Sequence, residues 1–399
     1  MPAISLPSAL EIEFELQAIL SYWKQRSIDN EYGGFVGQID ESEQVNFRAD
    51  KGSVLNARIL WSFSAAYLRT SSKEDLEVAE RSYLYIKNHF IDYTFGGVYW
   101  TVDFKGNAKD KKKQIYAIAF TIYGLAAYFK ASGDENALLL AKSLYADIEK
   151  HSYDKNELGY FEAFAQDWTQ LDDLRLSDKD ANEKKTMNTH LHILEAYSLL
   201  YTLWPDEGLK HQIIKLLEVF RKHILKPNGH LGLFFNEHWE PKSEAISYGH
   251  DIEAAWLLLE AAEAIKEVEL IAEFKKLALE ISIAAIEGID KDAMVYEFNP
   301  ANHHLIAEKH WWVQAEALVG LYNAFEISKD ETFLHHFNKI WNYTTTQIID
   351  KTSGEWFWGR KEDGSLMAGE DKAGLWKCPY HNSRACLELL NRFQKDSLN

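Results

Sequence analysis

Six short segments joining glycine to aromatic residues recur along this chain at intervals of about 60 to 70 residues: Tyr32-Gly33-Gly34-Phe35, Phe95-Gly96-Gly97-Val98-Tyr99-Trp100, Gly159-Tyr160-Phe161, Gly232-Leu233-Phe234-Phe235, Val295-Tyr296-Glu297-Phe298 and Gly354-Glu355-Trp356-Phe357-Trp358. That interval is the length of two helices plus their loops. Between the segments, apolar residues recur at i, i+3, i+4 and i+7 in about twelve stretches, near 8–26, 50–70, 74–90, 114–131, 134–151, 184–203, 208–225, 249–265, 268–287, 309–328, 330–349 and 379–394. A helical hairpin cannot bury its inner face alone, so six in series either stack as an open solenoid or close into a ring. The helices starting near 50, 114, 184, 249, 309 and 379 carry polar and aromatic residues where a solenoid core would want aliphatics, and the six loops share one chemistry. The expected fold is all-α, a closed (α/α)6 barrel with the even-numbered helices inside and the odd-numbered ones outside. Seven prolines and no Ser/Gly-rich tract leave no place for a linker, so residues 1–399 are expected to form one domain.

Composition narrows the ligand. With 43 basic residues against 61 acidic ones, the net charge of −18 repels phosphate and anionic lipid, so neither nucleic acid nor membrane is an expected partner. The run Lys111 to Lys113, beside Asp110, reads as solvated surface. The chain has no apolar stretch of spanning length and no leader or lipidation pattern, and a cytoplasmic address follows as the expectation. Cys378 and Cys386 are too few to staple a chain of this size and are read as reduced. HExxH, Asp-rich calcium loops, Walker A, GxGxxG and GxSxG patterns are all absent from the sequence, so no metal and no cofactor are expected.

A barrel of this kind has a pit at one end, lined by the N-terminal turns of the inner helices and by the aromatic loops. Tyr and Trp there offer apolar faces to sugar C–H groups and polar edges to hydroxyls, which makes a small carbohydrate the expected ligand. Arg58 and Trp61 share one helix face, Tyr116 opens the next inner helix, and Asn188 and His192 share a face at i, i+4 while His190 points away. Glu253 follows His250 by one turn, a spacing that lets a carboxylate orient an imidazole for general acid–base work. Trp312 and Glu316 are likewise one turn apart, and Pro379 puts His381 near the open end of the last inner helix.

The segments KGSVLNARILW, DWTQLDDLRLSDKDANEKKTMNTHLHILEAY, SYGHDIEAAWLL, HWWVQAEALVGLYNAF, EWFWG and KAGLWKCPYHNSRACLEL together resemble the cellobiose 2-epimerase family, within the N-acylglucosamine 2-epimerase superfamily. The resemblance runs through nearly the whole chain in order. It implies an (α/α)6 barrel that inverts C2 of the reducing-end glucose of β-1,4-linked disaccharides without metal or cofactor. Carried over by motif, it implies functional roles for Arg58, Tyr116, Asp180, Asn188, His192, His250, Glu253, Trp256, Trp312, Glu316, Trp376 and His381. Two departures bear on disaccharide preference: Ala117-Ile118 follows Tyr116 where a Gly and a polar residue are more usual, and Asn236 stands where Asp is expected.

The chemistry so implied begins with ring opening, because the C2 proton becomes acidic only beside a C1 aldehyde. One of His250 and His381 then takes H2, an enediolate forms, and the other returns a proton to the opposite face. Glu253 and Glu316 assist the imidazoles, Arg58, Tyr116 and His192 stabilise the oxyanion, and Trp376 stacks on a sugar ring. The alternatives are a mannose/glucose 2-epimerase with the same mechanism, an inverting glycoside hydrolase using Asp180 and Glu253, and a sugar-binding protein without activity. A monomer or weak homodimer is expected.

Overall fold

A computed structural model of the chain describes residues 6–396, so the termini of the expected 1–399 domain lie outside the described residues. Twelve α-helices alternate between two rings. The outer ring is α1 (Ala9–Arg26), α3 (Lys73–Tyr85), α5 (Glu135–His151), α7 (Glu207–Val219), α9 (Val268–Ala285) and α11 (Glu331–Tyr343). The inner ring is α2 (Ser53–Thr70), α4 (Ile115–Ser132), α6 (Met187–Leu203), α8 (Tyr248–Ile265), α10 (Trp311–Ser328) and α12 (Tyr380–Asp396). Each inner helix packs on the next, and α12 packs back on α2, which closes the (α/α)6 barrel. Helix α1 docks on α12 and so joins the two ends of the chain.

Capping chemistry sets the hairpins. Outer helices α5, α7 and α11 open on Asp134, Asp206 and Asp330, each accepting a backbone N–H of the first turn, and α1 opens on a Ser8–Glu11 capping box. Inner helices α2, α4, α8 and α10 end in single left-handed residues, Ser71, Gly133, Lys266 and Lys329, which reverse the chain within a few residues. These short reversals all lie at one end of the barrel, so the long glycine-aromatic loops and the N-termini of the inner helices gather at the other. Helix α4 has the length and apolarity of a membrane span, but 78% of it is buried within the barrel wall. The stretches read as continuous helix over 74–90, 208–225 and 330–349 end instead in wider turns at Ile86–Phe90, Phe220–Ile224 and Thr344–Ile348, from which the chain turns extended into the loops.

Short antiparallel ladders sew each lead-in to the following loop. Lys51–Gly52 pairs with Thr101–Val102, Lys113–Gln114 with Ala163–Phe164, Lys185–Thr186 with Phe234–Phe235, Ile246–Ser247 with Glu297–Asn299, and Lys309–His310 with Gly359–Arg360. Ile39 bridges to Ala373, so the collar of loops closes as the helices do.

Inside this collar an ion pair repeats five times, buried in four copies and with a partly exposed aspartate, Asp290, in the other. Lys51, Lys113, Lys185, Lys309 and Lys372 reach Asp29, Asp92, Asp154, Asp290 and Asp350 at 2.6–2.8 Å. Each aspartate also accepts two backbone N–H groups of the turn that follows it, so one carboxylate shapes the loop and binds it to an inner helix. Lys113 is therefore not solvated surface as the charge run suggested: its side chain is fully buried and Asp92 neutralises it. In the fourth repeat Lys226 stands where the others have Asp, and it lies 4.0 Å from the exposed Glu244.

Candidate active site

The pit is a cavity of about 430 Å³ at the N-terminal ends of the inner helices, and a second cavity of about 520 Å³ adjoins it. Leu176, Lys179, Asp180, Asn188, His250 and Tyr296 line both. Of the residues expected at the site, Arg58, Tyr116, Asp180, Asn188, His192, His250, Glu253, Trp312, Trp376 and His381 border the first cavity. The remaining two lie behind its floor. Glu316 accepts from Trp256 Nε1 at 3.2 Å and meets His381 Nδ1 at 2.7 Å. Trp256 is thus a buttress to a carboxylate rather than a wall for substrate, because its indole is turned into the core, where it faces the Arg384 guanidinium at 4.9 Å. Trp61, one turn beyond Arg58, stacks on Tyr123 at 5.4 Å and borders a separate cavity at the opposite end of the barrel.

Four histidines border the pit: His310 is held at its Nε2 by Glu308 at 2.9 Å, and the other three are oriented through Nδ1. His192 is held by Glu195 Oε2 at 2.9 Å, His381 by Glu316 Oε1 at 2.7 Å, and His250 by Ser247 Oγ at 2.8 Å. This leaves Nε2 as the nitrogen each of these three rings offers to the cavity. The expected pairing of His250 with Glu253 does not form. Glu253 turns to Arg384, 2.6 Å away, and lies 4.0 Å from His381 Nδ1. His190 points away from the pit as its helix position requires, bonded to Thr186 O and Tyr160 N–H. Gly249, just before His250, leaves room for Trp312, whose ring would sit 2.7 Å from a Cβ there. Trp312 in turn packs on both His250 and His381, at centroid distances of 4.8 and 5.8 Å.

Beneath the histidines lies a charge cluster that sequence reasoning missed. Arg384 donates to Glu253 and Glu316 at 2.6 Å each and also bonds Glu195 and Tyr380. Arg384 lies one turn after His381, and Glu195 one turn after His192, so the spacing argument applied to His250 and Glu253 would have found both. Glu253, Glu316 and His381 bring their ligand atoms within 4.8 Å of one another, but the Arg384 guanidinium donates to both glutamates from the position a cation would take.

Burial governs the titration of this cluster. It raises Glu253 to about 8, with repulsion from Glu316 adding to the rise, and it raises Glu316 as well. Burial and mutual repulsion thus both favour a proton on one of the two glutamates. Glu195 is ionised, since Arg384 and His192 outweigh its burial. Burial lowers His250 to about 3 and His381 well below the ordinary imidazole range, with Arg58 and Arg384 adding to the latter. Arg58 donates to Tyr116 Oη at 2.7 Å, sits over Phe120, and reaches Cys378 Sγ at 3.9 Å, but it has no salt bridge among the described residues. Tyr116 accepts that bond and stays protonated because burial raises its phenol, so its own O–H remains free to donate. Asn188 Oδ1, buried at the cavity, accepts no hydrogen bond from the described residues.

The N-acylglucosamine 2-epimerase (GlcNAc 2-epimerase) family pattern matches residues 33–385 of this chain. A cellobiose 2-epimerase of Bacteroides fragilis is 49% identical over 383 residues, covering 95% of this chain and 98% of that protein. The solved structure of a cellobiose 2-epimerase from Bacillus thermoamylovorans superposes with a TM-score of 0.92 at 38% identity, covering 96% of this chain and 99% of that one. A D-mannose isomerase of Marinomonas mediterranea is more distant, at 22% identity over 95% of this chain and 96% of its own length.

Proposed function

This chain belongs to the N-acylglucosamine 2-epimerase family, and from that premise we propose that it interconverts the D-glucose and D-mannose forms of a reducing-end sugar, with a β-1,4-linked disaccharide such as cellobiose as its substrate. The observation that carries the proposal is the set of imidazoles offering Nε2 to one cavity above a buried carboxylate pair gripped by one arginine. Proton removal and return at one carbon needs one basic and one loaded acidic group at the same time. His250 and His381 fill those roles and exchange them between the two epimers.

Ring opening comes first, with an imidazole moving the proton between O1 and O5. The C2–H electron pair then passes into the C1 carbonyl as an enediolate. Arg58 suits that oxyanion because it is a buried cation with no carboxylate of its own, and Tyr116 adds a donor, while His192, whose Nδ1–H is given to the ionised Glu195, turns an accepting Nε2 to the sugar hydroxyls. Trp376, half-buried at the rim beside Trp100 and Tyr116, offers its face to a sugar ring. Asn188 and Asp180, which border both cavities, are placed to receive hydroxyl donors.

Two adjoining cavities of this size suit two sugar rings better than one, which favours a disaccharide over free mannose. A hydrolase using Asp180 and Glu253 fits less well, since Glu253, although it borders the cavity, is engaged by Arg384 at 2.6 Å. The paired buried thiols Cys378 and Cys386, both free, fit a reducing cytoplasmic setting. Incubation with cellobiose in deuterated water tests the reading: an isomeric disaccharide carrying deuterium at C2 is expected. Release of glucose, or no exchange at C2, would refute it.

A further inference from the structure

We propose that Ser247 is a positioning residue for the proposed reaction: its hydroxyl holds His250 with the proton on Nδ1, so that His250 is the empty base of the resting site while His381 is the loaded acid. The inference rests on the epimerase reading above and deepens it.

Ser247 occupies the N-cap of α8, where a serine hydroxyl ordinarily accepts a backbone N–H of the first turn. It makes no such bond. Thr186, the hydroxyl N-cap of α6, does cap, accepting from the Thr189 N–H at 3.1 Å. At α8 the hydroxyl is turned to His250 Nδ1, 2.8 Å away, across the three-residue spacing that a capping bond would use. The backbone on either side leaves little slack, since Ser247 is tied to Glu297 in the ladder and Gly249 is pressed against Trp312. His250 is therefore fixed by a neutral group, whereas His192 and His381 are fixed by glutamates.

The difference has a chemical consequence. A glutamate at Nδ1 stabilises the imidazolium or hands the ring a proton; a serine does neither. Burial opposes the protonation of His250, and of the charged and titratable groups that bear on it His192 adds to that effect while Glu316 opposes it and is outweighed. With Ser247 accepting from Nδ1–H, the Nε2 lone pair faces the cavity. It takes H2 as the C2–H pair moves into the C1 carbonyl. His381 then gives its Nε2 proton to the opposite face of C2, and the proton shared by Glu253 and Glu316 passes to His381 Nδ1. The ring ends neutral and the glutamate pair ionised. Solvent removes the proton on His250 and restores the one on the glutamates.

The test uses the full-length enzyme, S247A, and the pair S247T and S247V, which share a shape but differ in the hydroxyl. If wild type exchanges no C2 proton with either cellobiose or its C2 epimer, the epimerase reading itself has failed and the variants are moot. If it does, S247A and S247V are expected to lose about ten- to a hundredfold in kcat, the usual scale for an orienting partner, with KM within about twofold and S247T retaining most of the activity. The isotope effect at C2 is expected to rise for the epimer whose proton goes to His250 and to stay unchanged for the other, an asymmetry that a loss of folding could not produce. Equal activity of S247T and S247V, or an isotope effect raised equally for both epimers, would overturn the proposal.

Discussion

Replacing Lys113 by Met measures what the collar of ion pairs contributes. The substitution keeps the bulk of the aliphatic stem but leaves Asp92 fully buried without its cation, with the Thr94 and Phe95 N–H groups and Gln166 Nε2 still donating to it. Removing one partner of a buried pair costs roughly 3–5 kcal/mol, because the remaining charge is stranded away from water. An unfolding entropy of about 2.1 cal/mol/K per residue gives roughly 0.8 kcal/mol/K over the 399 residues, so a loss of ~4 kcal/mol lowers Tm by roughly 5 °C. The fourth repeat supplies the control. Lys226 is 4.0 Å from a solvent-exposed Glu244, and Lys226→Met is expected to cost ~0–1 kcal/mol, a shift of about 1 °C or less. Differential scanning calorimetry at pH 7 on the two variants and on K113M/D92N, in which the stranded charge is also gone, decides the matter. A K113M protein within about 1 °C of wild type, or a K226M protein equally damaged, would show that the buried pairs do not carry the collar. The sign with pH follows: Lys113 and backbone donors outweigh burial and hold Asp92 down at about 2, so its contribution is present above the ordinary carboxyl range and is lost as pH falls through the folded value.

Three further outcomes follow from the pit. His250→Asn and His381→Asn should each cost about 10²–10⁴ in kcat while leaving the circular dichroism spectrum unchanged; a variant with near-full turnover would remove that histidine from the mechanism. Activity should fall as pH rises through about 8, because the carboxyl raised there is protonated below that value and the stored proton is lost above it; a kcat profile flat to pH 9.5 would contradict the shared proton. Trp376→Ala should raise KM for cellobiose by roughly two- to tenfold, the scale of one aromatic face lost (~0.5–1.5 kcal/mol), with kcat little altered, as initial rates across substrate concentration would reveal.

The barrel was legible because its information is periodic: the interval between Gly33 and Gly96 repeats around the chain, and only a closed ring gives six polar-faced helices a common interior. The site was legible where one helix face decided it, as with Asn188 and His192. It was misread where a partner comes from another helix. Glu253 sits one turn from His250 in sequence, but Arg384 from α12 competes for it and wins, because a guanidinium–carboxylate pair outweighs a neutral imidazole contact in a buried site. Lys113 was misread for the same reason: a run of three lysines looks solvated until the loop bearing Asp92 folds over one of them. Trp256 carries no local mark that separates a pit wall from a buttress, since both roles call for an inward aromatic residue.

The charges around the pit explain why this arrangement tolerates proton transfer in so dry a place. In the cluster beneath the histidines, Arg384 and Arg58 supply two positive charges, and Glu195 and the Glu253–Glu316 pair with one proton supply two negative ones, so these floor groups balance. When H2 moves to an imidazole, an imidazolium and an enediolate appear together and the sum is unchanged, so no ion has to be drawn from bulk water. What changes is only where the charges lie, and there Arg58 matters: a floor cation with no salt bridge among the described residues, it is free to meet new negative charge. Arg384, engaged with three glutamates, cannot serve that end. The two arginines therefore divide the work, one holding the acid–base groups in place and the other waiting for the oxyanion.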